Sequence, residues 1–271
     1  MAVSDHYARS NLIDAIRERV IALGKTTSTV TIGDLAPVDE FHIGGRNATE
    51  ELVARLHLTP ADHVLDVGCG LGGAARFIAE RNQCRVTGID LTGDYINAGQ
   101  AMCQWVGLAD RVSLHQGNAL SMPFPAGTFT AAYMLHAGMN IADKNELCSQ
   151  VARVLKPGSL FAIYDVMRTG GRELSYPVPW ATTADIDAVA EPEVYRRTLG
   201  AAGFNLISER NRRDFALAYF AGLKTSSGET PPPLGLHTLM GARRKTQVQN
   251  MIANISAGTI APFELVARKS L

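Results

Sequence analysis

The run Val64-Leu65-Asp66-Val67-Gly68-Cys69-Gly70-Leu71-Gly72-Gly73 constrains this chain more than any other segment. Its apolar residues read as a buried strand, and the glycines behind them read as a tight turn into a helix. Such a turn lets a ligand approach the backbone closely, with free helix N-terminal N–H groups pointing at it. Gly68, Gly70 and Gly73 also satisfy the dinucleotide pattern GxGxxG, so the glycines alone do not choose the ligand. Asp66 does choose. A carboxylate at the end of the first strand repels a pyrophosphate and attracts a ligand that presents an ammonium group there.

Around this turn, strands and helices alternate. Leu12, Ile13, Ile16, Val20 and Leu23 recur at helical spacing over residues 10–23, and a second helix is expected from Asn47 to about Leu56. The core then reads as a strand at 63–67, a helix at 73–81, a strand at 85–90, a helix at 94–106, strands at 112–116 and 130–135, a helix at 144–155 and a strand at 160–166. A loop at 168–191, rich in proline, glycine and aromatics, leads to a helix from Pro192, a strand near 205–209 and a last strand at 262–267. Single helices between strands imply a parallel sheet with right-handed crossovers.

The expected fold is therefore α/β: a Rossmann-like, seven-stranded, mostly parallel sheet with helices on both faces, an antiparallel last strand and N-terminal helices. Residues 1–61 are expected to form a helical lid segment and 62–271 the core. A helical cap insertion is expected at about 213–257, longer than an ordinary connection. It should hold helices near 215–223 and 242–255 around a loop with the proline run 231–233. The helix at 10–23 would pack on the core, with a lid or homodimer contact as its other role.

A chain of 271 residues with 46% hydrophobic content can bury one sizeable core. Lysine plus arginine number 26, as do aspartate plus glutamate, so no net field holds a nucleic acid or an anionic membrane surface. This argues for a small-molecule partner. Cys69, Cys84, Cys103 and Cys148 form no CxxC pair, and the first residues contain no apolar signal-like stretch. No apolar run approaches the roughly 20 residues a membrane helix needs. A cytoplasmic protein with reduced cysteines is expected.

Four blocks carry a resemblance: VLDVGCGLGG, VTGID ending at Asp90, GNALSMPF at 117–124 and RVLKPGSL at 153–160. Together, over about residues 62–166, they resemble the class I S-adenosylmethionine-dependent methyltransferases. Residues 39–45 (DEFHIGG), 136–141 (HAGMNI) and 176–180 (YPVPW) resemble the small-molecule branch that includes bacterial sarcosine and dimethylglycine N-methyltransferases. The branch also resembles enzymes that methylate carbon and oxygen. The magnesium-dependent catechol branch would need acidic ligands after the fourth strand, where YMLHAGMNI offers none, so no metal is expected.

The resemblance implies S-adenosylmethionine as cofactor and assigns residues to it. Asp66 would meet the ammonium of its methionine end, with Gly68, Gly70 and Gly72 along that portion and Gly73 allowing close helix packing. Asp90 lies at the separation from Gly68 at which an acidic side chain accepts both ribose hydroxyls; its bland role is a helix cap. Asn118 stands where the family usually has aspartate and offers its side-chain oxygen to the adenine amine, between apolar walls at Leu91 and Ala119. His136 follows the fourth strand at the carboxyl end of the sheet and suits proton abstraction, substrate orientation or a cofactor contact. His42 would close over the cofactor or touch the substrate, and is the second catalytic candidate. Asn140 and Met139 would line the same cavity.

Arg168, Tyr176 and Trp180 are the candidates for the acceptor, an arginine clamping a carboxylate and aromatic faces attracting an amine. Arg46 and Arg172 are further carboxylate candidates. These residues favour N-methylation of an amine or amino acid. A C- or O-methyltransferase of a terpenoid, polyketide or quinone pathway is the chemical alternative, and a cavity of Met, Phe and Leu would favour it. An NAD(P)-dependent oxidoreductase is opposed by Asp66 and by the lack of a Tyr-x-x-x-Lys pair; a non-catalytic cofactor-binding module has the Asn118 departure as its support.

Overall fold

The computed structural model describes residues 11–226, 233–240 and 244–271. Its centre is a seven-stranded sheet in the order β3-β2-β1-β4-β5-β7-β6. The strands are β1 (His63–Val67), β2 (Arg85–Asp90), β3 (Val112–Gln116), β4 (Phe129–Leu135), β5 (Leu155–Arg168), β6 (Phe204–Asn211) and β7 (Ile260–Lys269). β1 to β5 are parallel; β7 runs antiparallel to β5 and β6 and lies between them. The fold is Rossmann-like, as expected.

Ten helices follow among the described residues: α1 (Leu12–Ala22), α2 (Ile32–Asp39), α3 (Gly45–Ala54), α4 (Gly73–Asn82), α5 (Gly93–Trp105), α6 (Lys144–Val154), α7 (Pro192–Ala201), α8 (Arg213–Ser226), α9 (His237–Met240) and α10 (Arg244–Ser256). Both faces of the sheet are buried, which is why β1 reads as a nearly continuous apolar run. Val64 and Tyr133 pack with Ile78 and Val86 on one face. Leu65 and Val67 pack with Phe129, Met134 and Val151 on the other.

Two departures from the sequence expectation have physical causes. α2 has no counterpart among the expected helices, and it holds a glycine and a proline, Gly33 and Pro37. A capping box between Thr31 and Asp34 starts it, satisfying two end groups reciprocally. β5 begins five residues early, where Leu155 pairs with Phe129 before a register shift brings Leu160 opposite Ala131. The stripe of α1 buries Leu12, Ile16 and Val20 in a cluster with Tyr95, Ala98 and Met102 of α5, so this apolar face is spent within the chain.

Between β6 and β7 the chain forms α8, α9 and α10. The proline run expected at 231–233 lies mostly outside the described residues, as do residues 1–10 and the expected start of the last helix at Ala242. No helix among the described residues is long and apolar enough to cross a membrane.

Candidate active site

Parallel strands deliver their following loops to one edge of the sheet, and the loops after β1, β2, β3 and β4 all reach one cavity of about 440 Å³. The glycine turn and the loop after β4 are pressed together: Gly68 has φ +75°, and a Cβ there would stand 2.3 Å from Cβ of Ala137. Only glycine fits both the conformation and the space. Gly73 does a different job, since a Cβ there would stand 2.2 Å from Cβ of Asp39. It lets α4 pack closely against the end of α2.

Asp66 lies opposite Tyr133 in the β1–β4 register, and the Tyr133 hydroxyl donates to its Oδ2 at 2.7 Å. Burial, partly offset by that hydrogen bond, pushes the Asp66 carboxyl up to about 7. Asp90 accepts from the backbone N–H of Gly70 at 2.9 Å and of Thr92 at 2.8 Å, and burial raises its pKa as well. Thr92, not Asp90, is the N-cap residue of α5, so Asp90 ties the turn ahead of the helix to the glycine turn and does not cap the helix. Each carboxylate oxygen keeps further lone-pair capacity on the cavity it lines. Asn118 Oδ1 accepts from Leu120 N–H at 2.9 Å, which uses part of the oxygen reserved for the adenine amine. Leu91, Asn118 and Ala119 line the cavity beside Asp90.

His136 is in the left-handed region at φ +48° and donates its N–H to the Tyr164 carbonyl at 2.7 Å. Its ring lies against the Tyr164 ring, centroids 4.9 Å apart. Burial and the neighbouring His42 push its pKa well below the ordinary histidine value. Asp165 anchors the loop behind it, accepting from the Tyr195 hydroxyl and the Met139 backbone N–H. Burial holds the Asp165 carboxyl at about 6. Sequence reasoning missed this buried acid; its signal was a lone carboxylate inside the apolar strand FAIYDVM.

His42 lines the cavity from the N-terminal segment together with Val38, Asp39, Phe41 and Ile43. A buried ion pair holds that segment in place, Arg76 Nη2 to Asp39 Oδ1 at 2.7 Å, with Arg76 also donating to the Leu71 carbonyl in the glycine turn. The remaining wall comes from Met139, Asn140, Pro179 and Trp180 and from α8 to α10, through Tyr219, Phe220, Leu223, Leu239, Met240, Val248 and Met251. Sequence reasoning missed the helical contributors, because an apolar helix face reads the same whether it meets a core or a cavity.

The structure does not bring every candidate here. Gly72 faces inward, where a Cβ would stand 2.7 Å from Leu114 Cδ1. Arg168 donates to the Arg172 carbonyl, Tyr176 donates to Asp187 at 2.7 Å, and Arg46 pairs with Glu40; none of these lines the cavity, nor does Arg172. Trp180 does line it, its indole N–H donating to Asp187 at 2.9 Å. Arg244 is the one lysine or arginine on the cavity wall among the described residues.

Residues 64–158 match the family described as methyltransferase domain. Over these residues the chain carries a methyltransferase domain. Sterol 24-C-methyltransferase of Eremothecium gossypii is 34% identical over 169 residues, covering 60% of this chain and 45% of that protein. The chain spans about half the length of the curated relatives it matches. Among solved structures, a putative sarcosine dimethylglycine methyltransferase from Galdieria sulphuraria superposes with TM-score 0.68 at 20% identity, covering 95% of this chain and 98% of that one. Geranyl diphosphate C-methyltransferase from Streptomyces coelicolor A3(2), in complex with Mg2+, geranyl-S-thiolodiphosphate and S-adenosyl-L-homocysteine, superposes with TM-score 0.68 at 19% identity over 97% and 99%. At these identities the structural likeness is one of fold.

The methyltransferase domain's own residues suit the cofactor of its class. Its polar wall offers two carboxylates, a glycine turn with positive φ at Gly68 and Gly70, and an amide flanked by Leu91 and Ala119. These are acceptors for an ammonium and a diol and an apolar slot for a purine. No group of three or more metal-ligating side chains occurs among the described residues.

Proposed function

We propose that the chain is an S-adenosylmethionine-dependent methyltransferase that acts on a carbon or oxygen of an apolar small molecule. The observation carrying the choice of acceptor is the cavity's second wall, built from Phe41, Met139, Trp180, Phe220, Met240 and Met251. An amino-acid acceptor would need a carboxylate clamp, and Arg168, Arg172 and Arg46 all lie elsewhere. The 34% identity to a sterol C-methyltransferase supports the same reading. N-methylation of an amine, the expectation from residues 39–45 and 176–180, keeps Arg244 as its one cation among the described lining residues.

When bound, S-adenosylmethionine supplies a methyl group that is already electrophilic. The chain therefore has three tasks. Asp66 would hold the ammonium, Asp90 the ribose hydroxyls, and Asn118 with Leu91 and Ala119 the adenine. The wall from α8 to α10 would act as the cap that excludes water, and with Trp180 and Met139 it would hold the acceptor in line. Such positioning supplies up to roughly 7–11 kcal/mol of a barrier in the best intramolecular cases. His136 and His42 would orient the acceptor, and one of the two would receive its proton. Calorimetry should show S-adenosylhomocysteine binding at micromolar strength and NADH not binding. Incubation with labelled S-adenosylmethionine and a panel of amines, phenols and prenyl compounds should place the label on an apolar member. Tight NADH binding without binding of either sulfur ligand would overturn the proposal.

A further inference from the structure

The two histidines on the cavity have ring centroids 6.0 Å apart, but their surroundings differ in the one respect that decides which can carry a proton. His136 lies on Tyr164, and its Nε2 is buried with no hydrogen-bond partner among the described residues. His42 Nε2 is 3.0 Å from the Gly45 carbonyl and 3.0 Å from Thr49 Oγ1. A carbonyl has no proton to give, so the first contact requires the hydrogen to be on Nε2. The Thr49 hydroxyl spends its own proton on Glu40 Oε2 at 2.9 Å, so it too accepts from Nε2–H. Glu40 Oε2 itself stands 3.4 Å from Nε2, with both side chains 5% exposed. This arrangement leaves the lone pair on Nδ1 and places a carboxylate behind the ring.

We propose that His42, rather than His136, accepts the proton of the transfer, and that Glu40 is the positioning residue that fixes its tautomer through Thr49 and stabilises the imidazolium. The proposal rests on the methyl-transfer reading above. Where the acceptor is a hydroxyl or an amine, a lone pair on X becomes the new bond to the methyl carbon, and the X–H pair stays on X as the proton leaves. The S–C pair leaves with sulfur, and the proton goes to His42 Nδ1 and on to water after the product departs. The groups facing His42 are Glu40 and Arg46 from the N-terminal segment and His136 and Tyr164 from the sheet edge, with Tyr219 of α8 near Glu40. Burial pushes the His42 pKa below the ordinary histidine value, with Arg46 adding to it, while Glu40 and the Gly45 carbonyl counter it by favouring the imidazolium. His136 has burial and His42 against it and no carboxylate beside it.

Histidine-labelled protein, saturated with S-adenosylhomocysteine, tests this by NMR titration alongside the pH profile of turnover. In the wild type, His42 should titrate above His136. Glu40→Gln should lower the His42 midpoint and leave that of His136 in place. The acidic limb of kcat should move down with His42, while the plateau falls about tenfold or more and KM stays within about threefold. Thr49→Val keeps the Glu40 charge and removes the bridge, and should shift both readouts in the same direction; it carries the test if Glu40→Gln does not fold. His136 titrating above His42, or an acidic limb unmoved in a folded variant, would overturn the proposal. Absence of methylated product from the wild type with every acceptor would instead defeat the methyl-transfer reading itself, before any variant is made.

Discussion

Asp66 is the residue at which sequence, burial and ligand chemistry meet. Its carboxyl, pushed to about 7 by burial, must be ionised to pair with an ammonium. Binding of S-adenosylhomocysteine should therefore release a proton below pH 7, and its affinity should fall about tenfold per pH unit there. Calorimetry from pH 6 to 8 should show that slope in the wild type, and a weaker, flat affinity in Asp66→Asn; a flat wild-type curve would contradict it. The same raised pKa makes Asp66 a cost to the ligand-free fold. A group raised in the folded state favours folding most below its unfolded value of 3.8, and that advantage is lost as pH rises through about 7. Asp66→Asn should thus melt no lower than the wild type at pH 8, with the wild type gaining relative to it as pH falls toward 5. Asp90→Ala removes the acceptor of two backbone N–H groups, and should weaken S-adenosylhomocysteine by about 1–3 kcal/mol in a protein shown by circular dichroism to be folded.

At the scale of elements, the site depends on α2 being held against the glycine turn. Arg76 and Asp39 are both fully buried and paired, so removing one partner leaves an uncompensated charge. Arg76→Ala should lower stability by about 3–5 kcal/mol in urea titrations, and a loss under 1 kcal/mol would show that the segment is held by apolar packing instead. β1, β2 and β3 were legible to the residue: β1 and β2 are buried on both faces, and β3, at the sheet edge, buries alternate residues Val112 and Leu114. α2 was not legible: eight residues with a glycine and a proline carry too little periodicity, and its one signal was the Thr31 and Asp34 capping box. The start of β5 was not legible because Lys156-Pro157-Gly158 carries no apolar pattern, and Leu155 finds its pairing partner Phe129 only in the folded sheet.

For the whole molecule, the two walls of the cavity differed in how far the sequence revealed them. The polar wall follows from short, contiguous motifs at the ends of β1 to β4, so Asp66, Gly68, Gly70, Asp90, Asn118 and His136 could be named before any fold was known, and all line the cavity. The second wall is assembled from α8, α10 and the 179–180 turn, whose apolar residues are ordinary at the level of sequence and meet only after folding. Arg168 and Tyr176 were chosen for their chemistry, and the chain turns that chemistry toward Arg172 and Asp187 instead. The central claim is that this second wall selects an apolar acceptor. The most direct measurement is the ratio of kcat/KM for an isoprenoid or polyketide alcohol to that for sarcosine, with the same labelled S-adenosylmethionine. The account predicts a ratio of at least about a hundredfold, the worth of roughly 100 Å² of additional apolar burial. A ratio at or below one would contradict it.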